Sequence, residues 1–411
     1  MPDDARRIAE TAARVSYGRL LAGLVAWSRD IAGAEDALSE AFIAALTTWQ
    51  ERGVPADPDA WLLTAARNRI RNSYRHQGVR DDAAREIERR HEALSRPSPE
   101  PVPDERLKLL FVCAHPAIDP AIRTPLMLQT VLGLDAVRIG SAFLVAPPTM
   151  GQRLVRAKAK IRDAGLRFTV PTGEDLPERL GDVLNAVYAA FGTGWDTQPG
   201  AATGAQDLTA EALYLGRLLV DLMPEEPEPR GLLALMLYCE ARRNARRDPA
   251  GRFVPLNRQD PSQWSRDMIV EAEGLLTSAC RSGQFGRFQS EAAIQSVHVQ
   301  RPVTGRTHHA ALKVLYDLLA THAPGIGTLT SRAAAVLDAG DPDRAMTLLD
   351  DIMSPGTESY QPYWVTRAHT LLALQRPDDA RSALQTAIGL TEDEAVRLYL
   401  IETGRTWPDP S

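Results

Sequence analysis

Apolar residues return at every third or fourth position along most of this chain, and nowhere do they alternate with polar ones for long. A helix brings i, i+3 and i+4 to one face, whereas a half-buried strand needs strict alternation. The pattern predicts an all-α protein. In "AEDALSEAFIAALTTWQ" (34–50), Leu38, Phe42, Ala45, Leu46 and Trp49 share such a face and are expected in a core. With 411 residues, 44% of them apolar, the chain can build two or three cores.

Proline and glycine set the expected divisions. Pro97, Pro99, Pro101 and Pro103 read as an extended linker. Pro171 and Gly173 mark a second boundary. The expected domains are residues 1–76, a linker over 77–104, a second helical domain over 105–168, and a helical extension over 169–411. Within the extension, "AVLDAGDPDRAMTLLDDIM" (335–353) aligns with "TLLALQRPDDARSALQTAI" (370–388) at a shift of 35 residues. Pro342 matches Pro377, Ala345 matches Ala380 and Leu349 matches Leu384. A period of this size points to TPR-like helical hairpins, with a generic helical bundle as the alternative.

Charge is unevenly spread. Residues 1–169 carry 25 Lys and Arg against 21 Asp and Glu, and the remainder carries 22 against 32. The front of the chain suits a polyanion and the back repels one. The positive charge peaks in "APPTMGQRLVRAKAKIRDAG" (146–165), with five cations against one anion.

That segment reads as the second helix of a helix-turn-helix. Gly133 is expected to end the preceding helix in a left-handed conformation, and Asp135 to cap "AVRIGSAFL". Pro147 and Pro148 forbid that helix from continuing, and Thr149 with Gln152 forms a capping box for the next. Met150, Leu154, Ala157 and Ile161 make its buried stripe. Thr149, Gln152 and Arg153 are then placed nearest base edges, and Arg156, Lys158 and Lys160 nearest phosphates. A solvated amphipathic helix is the plainer reading.

Two features of the first block carry charge in a pattern. Glu35, Asp36 and Glu40 lie in the first half of one helix, where the helix dipole also favours acids. Arg67, Asn68, Arg69, Arg71 and Arg75 crowd the end of "AWLLTAARNRIRNSYRH" (60–76), interleaved with Trp61 and Tyr74. Cations between aromatic rings suit the backbone and bases of a single strand, although helix-end complementarity accounts for some of them.

The order of "AEDALSEAF", a loop, "AWLLTAARNRIRNSYR" and a helix-turn-helix resembles the extracytoplasmic-function sigma factors of bacterial RNA polymerase. "PDERLKLLFVCAHPAIDPAIR" and the tail motifs "RGLLALMLYCEARRNAR", "NRQDPSQW" and "FQSEAAIQSVH" resemble the subgroup with a C-terminal TPR-like extension. The resemblance implies two small helical sigma domains, the second a helix-turn-helix, then a TPR-like helical-repeat domain. It implies that Glu35, Asp36, Glu40 and Phe42 meet the clamp of the polymerase's largest subunit, with the flap region as a further contact. It also implies that the loop Glu51 to Asp59 captures a flipped base of a −10-type promoter element. Trp61, Arg67, Asn68, Arg69, Arg71 and Tyr74 then lie beside the melted strand, and the helix from Thr149 to Lys160 reads a −35-type element. Pro125 departs from the family pattern. The helix there is expected either to kink or to restart with Thr124 as cap.

The acidic extension is open to two readings. It either complements the basic modules or binds a peptide, protein or small ligand in a helical groove. Arg258, Asp260, Trp264, Gln289 and His298 are candidates for a regulatory pocket, against the alternative of interhelix hydrogen bonds and core aromatics. No catalysis is expected, because phosphate-binding glycine loops, GxSxG and HExxH are absent from the sequence. No cofactor is expected, and no metal, since Cys113 and His115 have no further ligand at a usable spacing. Three scattered cysteines, no apolar leader and no run of about 18 apolar residues point to the cytoplasm and away from a membrane. The rival reading is a TPR-like protein-interaction adaptor with a DNA-binding N-terminal module.

Overall fold

The computed structural model describes residues 2–76, 104–143, 145–172, 174–195, 203–301, 305, 307–352 and 356–407. Among them every regular element is a helix, and the one β contact is the isolated bridge Arg247–Phe253. The proline run of the expected linker lies outside the described residues. The chain forms two compact units, residues 1–215 and 216–411.

The first unit contains α1 (Pro2–Val15), α2 (Tyr17–Ser28), α3 (Ile31–Arg52), α4 (Pro58–His76), α5 (Arg106–Cys113), α6 (Pro120–Leu132), α7 (Ala136–Ala142), α8 (Pro147–Asp163) and α9 (Asp175–Trp195). Helix α10 (Thr203–Leu222) spans the division. Helix α2 is apolar nearly all round, with Leu20, Leu21, Ala22 and Leu24 fully buried, so it lies at the centre of the unit. It packs on α3 and α4 of the first block and on α5 and α6 of the second. One core therefore serves both blocks.

Small residues permit that arrangement. A Cβ on Gly18 would stand 1.9 Å from the Val131 carbonyl oxygen of α6, so only glycine lets the two backbones come so close. The end of α6 is folded as expected. Gly133 caps it at φ 70°, and Asp135 accepts from the Arg138 amide at 2.7 Å to start α7. Two expected helix starts, at Thr124 and at Thr149, are not where the helices begin. Helix α6 runs unbroken through Pro125, with Asp119 as its cap and Pro120 in its first turn. Thr124 donates instead to the Ala186 carbonyl of α9 at 3.0 Å. Helix α8 starts at Pro147, not Thr149, because prolines in a first turn forfeit amides that have no intrahelical partner anyway.

Helix α9 falls past the expected domain boundary, yet it packs on α5 and α6. Arg123 meets Asp182 at 2.6 Å, and Arg179 donates to the Phe111 carbonyl at 2.8 Å.

Helix α8 docks through the expected stripe. Met150, Leu154, Ala157 and Ile161 are all buried. Its fifth buried residue is Lys158, whose ammonium donates to Glu35 of α3. Burial raises the Glu35 carboxyl above its ordinary range, opposed by Lys158 and reinforced by Asp36 and Asp30. Its second oxygen, Oε1, is buried without a hydrogen-bond partner. Beneath the pair the Cys113 thiol is fully buried, pushed up to about 12 by that burial, and lies 3.3 Å from Thr130 Oγ1.

The second unit contains α11 (Pro227–Ala241), α12 (Arg266–Cys280), α13 (Arg287–Val299), α14 (His309–His322), α15 (Ile326–Asp338), α16 (Pro342–Asp350), α17 (Gln361–Ala373), α18 (Pro377–Leu390) and α19 (Glu394–Arg405). Helix α11 is buried on nearly every side and packs between α12 and α13. Glu228 at its start caps α13, accepting the Phe288 and Gln289 amides at 2.9 and 3.1 Å. The internal repeat is visible as paired helices. Pro342 and Pro377 each open the second helix of a pair, and Ala345, Leu349, Ala380 and Leu384 are buried at matching positions. Gly340 and Gln375, also 35 residues apart, both adopt positive φ at the turn.

Two stability outcomes follow from this packing. Gly18→Ala is expected to cost about 2 kcal/mol or more, as overpacking against backbone does, whereas Gly181→Ala in α9, with open space around it, should stabilise by roughly 0.5–1 kcal/mol. Urea unfolding followed by circular dichroism checks the opposite signs. Lys158→Met leaves Glu35 buried without its partner and is expected to cost about 3–5 kcal/mol at pH 7. Because the Glu35 carboxyl is already raised in the folded state, it binds its proton more readily there than in the unfolded chain. The deficit of Lys158→Met should therefore shrink as pH falls from 7 toward the ordinary glutamate range, and Glu35→Gln in the same chain should remove that dependence.

Candidate polymerase and nucleic-acid interface

The outer surface of α8 is cationic. Thr149, Gln152, Arg153, Arg156 and Lys160 are exposed, and Arg153, Arg156 and Lys160 have no carboxylate partner among the described residues. These three line one side of an open groove of about 420 Å³, whose floor is Ile118, Ile122 and Ala157 and whose rim includes Asp119. Lys158 does not belong to this surface, contrary to the sequence expectation. It borders the apolar stripe and turns inward to Glu35, so it offers no contact to a phosphate in this conformation. Glu35 is likewise taken from the acidic outer face of α3.

The remaining acids of α3 point outward. Asp36 and Glu40 are exposed, and Phe42 is half-buried. The apolar stripe of this helix is narrower than its sequence spacing indicates. Leu38, Ala45 and Trp49 are buried, but Leu46 is 38% exposed and Ile43 is 65% exposed. An isoleucine and a leucine one turn apart leave a small apolar patch on the outer face of the helix. The i, i+3 spacing of Ile43 and Leu46 is the sequence signal for it, and placing Leu46 in the core conceals that signal.

On α4, Trp61 is half-buried and packs edge-on to Trp49, with ring centroids 5.5 Å apart. It supports the core as much as it faces solvent. Arg67 is also half-buried, its Nε buried without a partner, and desolvation weakens its hold on its proton. Arg69 donates to Glu40 at 3.0 Å. The candidate strand-facing and polymerase-facing sets thus touch across α3 and α4. Asn68 is exposed and accepts from Arg71. The Tyr74 side chain lies outside the described residues. A second cleft, about 300 Å³, lies between Asp30, Asp36 and Glu40 on one side and Arg69 and Arg162 on the other.

The five candidates for a pocket in the second unit have these surroundings. Arg258 is exposed in a short 3₁₀ turn. Asp260 is spent on a local cap, accepting the Ser262 amide at 2.9 Å. Trp264 is buried, with its indole nitrogen unpartnered. Gln289 is fully buried and donates to Glu228 at 3.2 Å. His298 stands nine residues further along the same helix, roughly 13 Å away at 1.5 Å per residue.

Among the described residues no group of His, Cys, Asp and Glu is arranged to hold a metal, and no helix is long and apolar enough to cross a membrane.

Residues 15–80 match sigma-70 region 2, the region that contacts core RNA polymerase and promoter DNA. Residues 179–280 match DUF6596, a family of unknown function. Over 386 residues the chain is 34% identical to a Rhizobium meliloti (strain 1021) protein described as "Uncharacterized protein R00370", covering 92% of this chain and 91% of that one. No solved structure matches. The matched region 2 covers α2 to α4, the helices that carry the acidic face, the exposed Ile43–Leu46 patch and the arginine cluster. The chain therefore belongs to one family with the Rhizobium meliloti protein, and its N-terminal sigma-70 region 2 module points to a sigma factor acting in transcription initiation.

Proposed function

We propose that the protein is a sigma factor of the extracytoplasmic-function type with a fused TPR-like regulatory extension. In this reading residues 1–76 form region 2, residues 105–168 form a region 4 helix-turn-helix, and residues 169–411 form the extension. The outer face of α3 grips the clamp of the largest polymerase subunit through Asp36, Glu40, Phe42, Ile43 and Leu46. The loop Glu51 to Asp59 and Arg67, Asn68, Arg69 and Arg71 of α4 accompany the melted strand of a −10-type element. Thr149, Gln152, Arg153, Arg156 and Lys160 of α8 address a −35-type element.

The observation that carries the reading is the exposed row Arg153, Arg156 and Lys160, without a carboxylate partner among the described residues, on the second helix of a tight helical pair, in a chain whose first module matches sigma-70 region 2. Guanidinium groups without internal partners are available to phosphates and to guanine edges. The protein itself makes no covalent change. Joining two weak DNA contacts in one chain makes the second intramolecular, and a base captured outside the stack offsets part of the cost of opening the duplex.

Two variant pairs test the assignment by run-off transcription with core polymerase on genomic promoter fragments. Ile43→Asp with Leu46→Asp is expected to abolish polymerase binding while leaving the fold intact, since both side chains are exposed. Unchanged polymerase binding would favour the adaptor reading. Arg153→Gln with Arg156→Gln should lower promoter affinity, and the slope of log affinity against log salt should flatten by about 1 for each phosphate left without its cation. An unchanged slope would remove α8 from the DNA interface.

A further inference from the structure

The cationic row of α8 and the outer face of α3 match in spacing and are opposite in charge. Arg153, Arg156 and Lys160 follow one another at i, i+3 and i+7, a row roughly 10 Å long at about 1.5 Å per residue. Asp36, Glu40 and Ile43 follow at i, i+4 and i+7 on α3, so they cover about the same length on one face. All six side chains are exposed. Asp36 forms no ion pair among the described residues. Glu40 is held by Arg69 at 3.0 Å, yet its side chain remains 64% exposed. Leu46, one turn beyond Ile43, extends the aliphatic end of the stripe.

The row borders the groove of about 420 Å³ between α6 and α8. The groove floor of Ile118, Ile122 and Ala157 is aliphatic, and Asp119 is the one acid in the lining. An oxygen of Asp119 already accepts the Ala121 amide at 2.9 Å. Phosphate oxygens alone gain nothing from an aliphatic floor. A helix that carries acids and aliphatic side chains on one face meets both parts of the lining. The α3 of the same chain is excluded from this groove. Lys158 points to α3, and at about 100° per residue Arg156 and Lys160 each project about 160° away from it. The groove therefore lies on the far side of α8, and an α3 that enters it comes from another molecule.

We propose that the occupant is α3 of a second copy of this chain, seated with Asp36 and Glu40 against the cationic row and with Ile43 and Leu46 along the aliphatic floor. A contact between two different surfaces either closes into a ring, a reciprocal pair being the smallest, or continues as a chain. The ion pairs across it join groups at the solvent-exposed surface, so salt weakens the association. The consequence for function rests on the proposed sigma-factor role. Self-association covers at once the α3 face assigned to polymerase and the α8 row assigned to DNA, and dilution exposes both.

The test uses the full-length protein alone, without polymerase or DNA, so its failure leaves the sigma-factor role standing. Sedimentation velocity is run over a range of protein concentrations in about 50 mM and about 500 mM sodium chloride. Concentration-dependent association at the lower salt, weakened at the higher, is expected. Arg153→Glu with Lys160→Glu, and separately Asp36→Lys with Glu40→Lys, should each weaken it about tenfold or more. An equimolar mixture of the two variants should restore it, which also shows that both are folded. Ile43→Ser leaves the charge unchanged and should weaken association too, which separates a seated side chain from attraction between net charges. Arg266→Glu, a reversal at an exposed position in the second unit, should have no effect. A monomer at every concentration in the lower salt assigns the groove to another occupant and overturns the proposal. So does an effect of Arg266→Glu equal to that of the groove variant, or association untouched by Ile43→Ser and by both charge reversals.

Discussion

A buried ammonium and a buried carboxylate determine where the cationic helix α8 of this protein lies. Lys158 and Glu35 come from the two blocks that the sequence separates with a proline-rich stretch, yet they meet inside one core. Neither charge is tolerated there alone, because desolvation of an unpaired ion costs several kcal/mol. Together with the glycine at position 18, which lets α2 lie against the backbone of α6, the pair makes the two blocks a single folded unit. These contacts set the rotation of helix α8 about its axis. Its apolar stripe and Lys158 point inward, and Arg153, Arg156 and Lys160 are left facing out.

The same constraint sorts the acids of α3. Glu35 is consumed by packing, while Asp36 and Glu40 remain at the surface beside Ile43 and Leu46. A helix whose outer face combines carboxylates with exposed aliphatic side chains suits a protein partner better than solvent alone. Helix α3 lies within the residues that match sigma-70 region 2.

Much of the helical architecture is legible in the sequence, because it rests on local rules. The stripe of Met150, Leu154, Ala157 and Ile161, the Gly133 turn, the Asp135 cap and the 35-residue repeat each follow from spacing within one or two helices. What is not legible depends on distant parts of the chain. Lys158 looks like its neighbours Arg156 and Lys160 until Glu35, 123 residues earlier, is brought beside it. Thr124 looks like a helix cap until its hydroxyl finds the Ala186 carbonyl. Arg242 sits in a run of arginines, where nothing local distinguishes a buried guanidinium from an exposed one.

The most direct test is a spin-label distance between Thr47 on α3 and Gln152 on α8, both exposed, in the full-length protein. Cys280 is exposed and Cys239 half-buried, so both are first replaced by serine, leaving only the buried Cys113. One narrow distance distribution is predicted, widening when Lys158 is replaced by methionine. A broad distribution in the unaltered chain, unchanged by that replacement, would contradict a single unit held together by the buried pair.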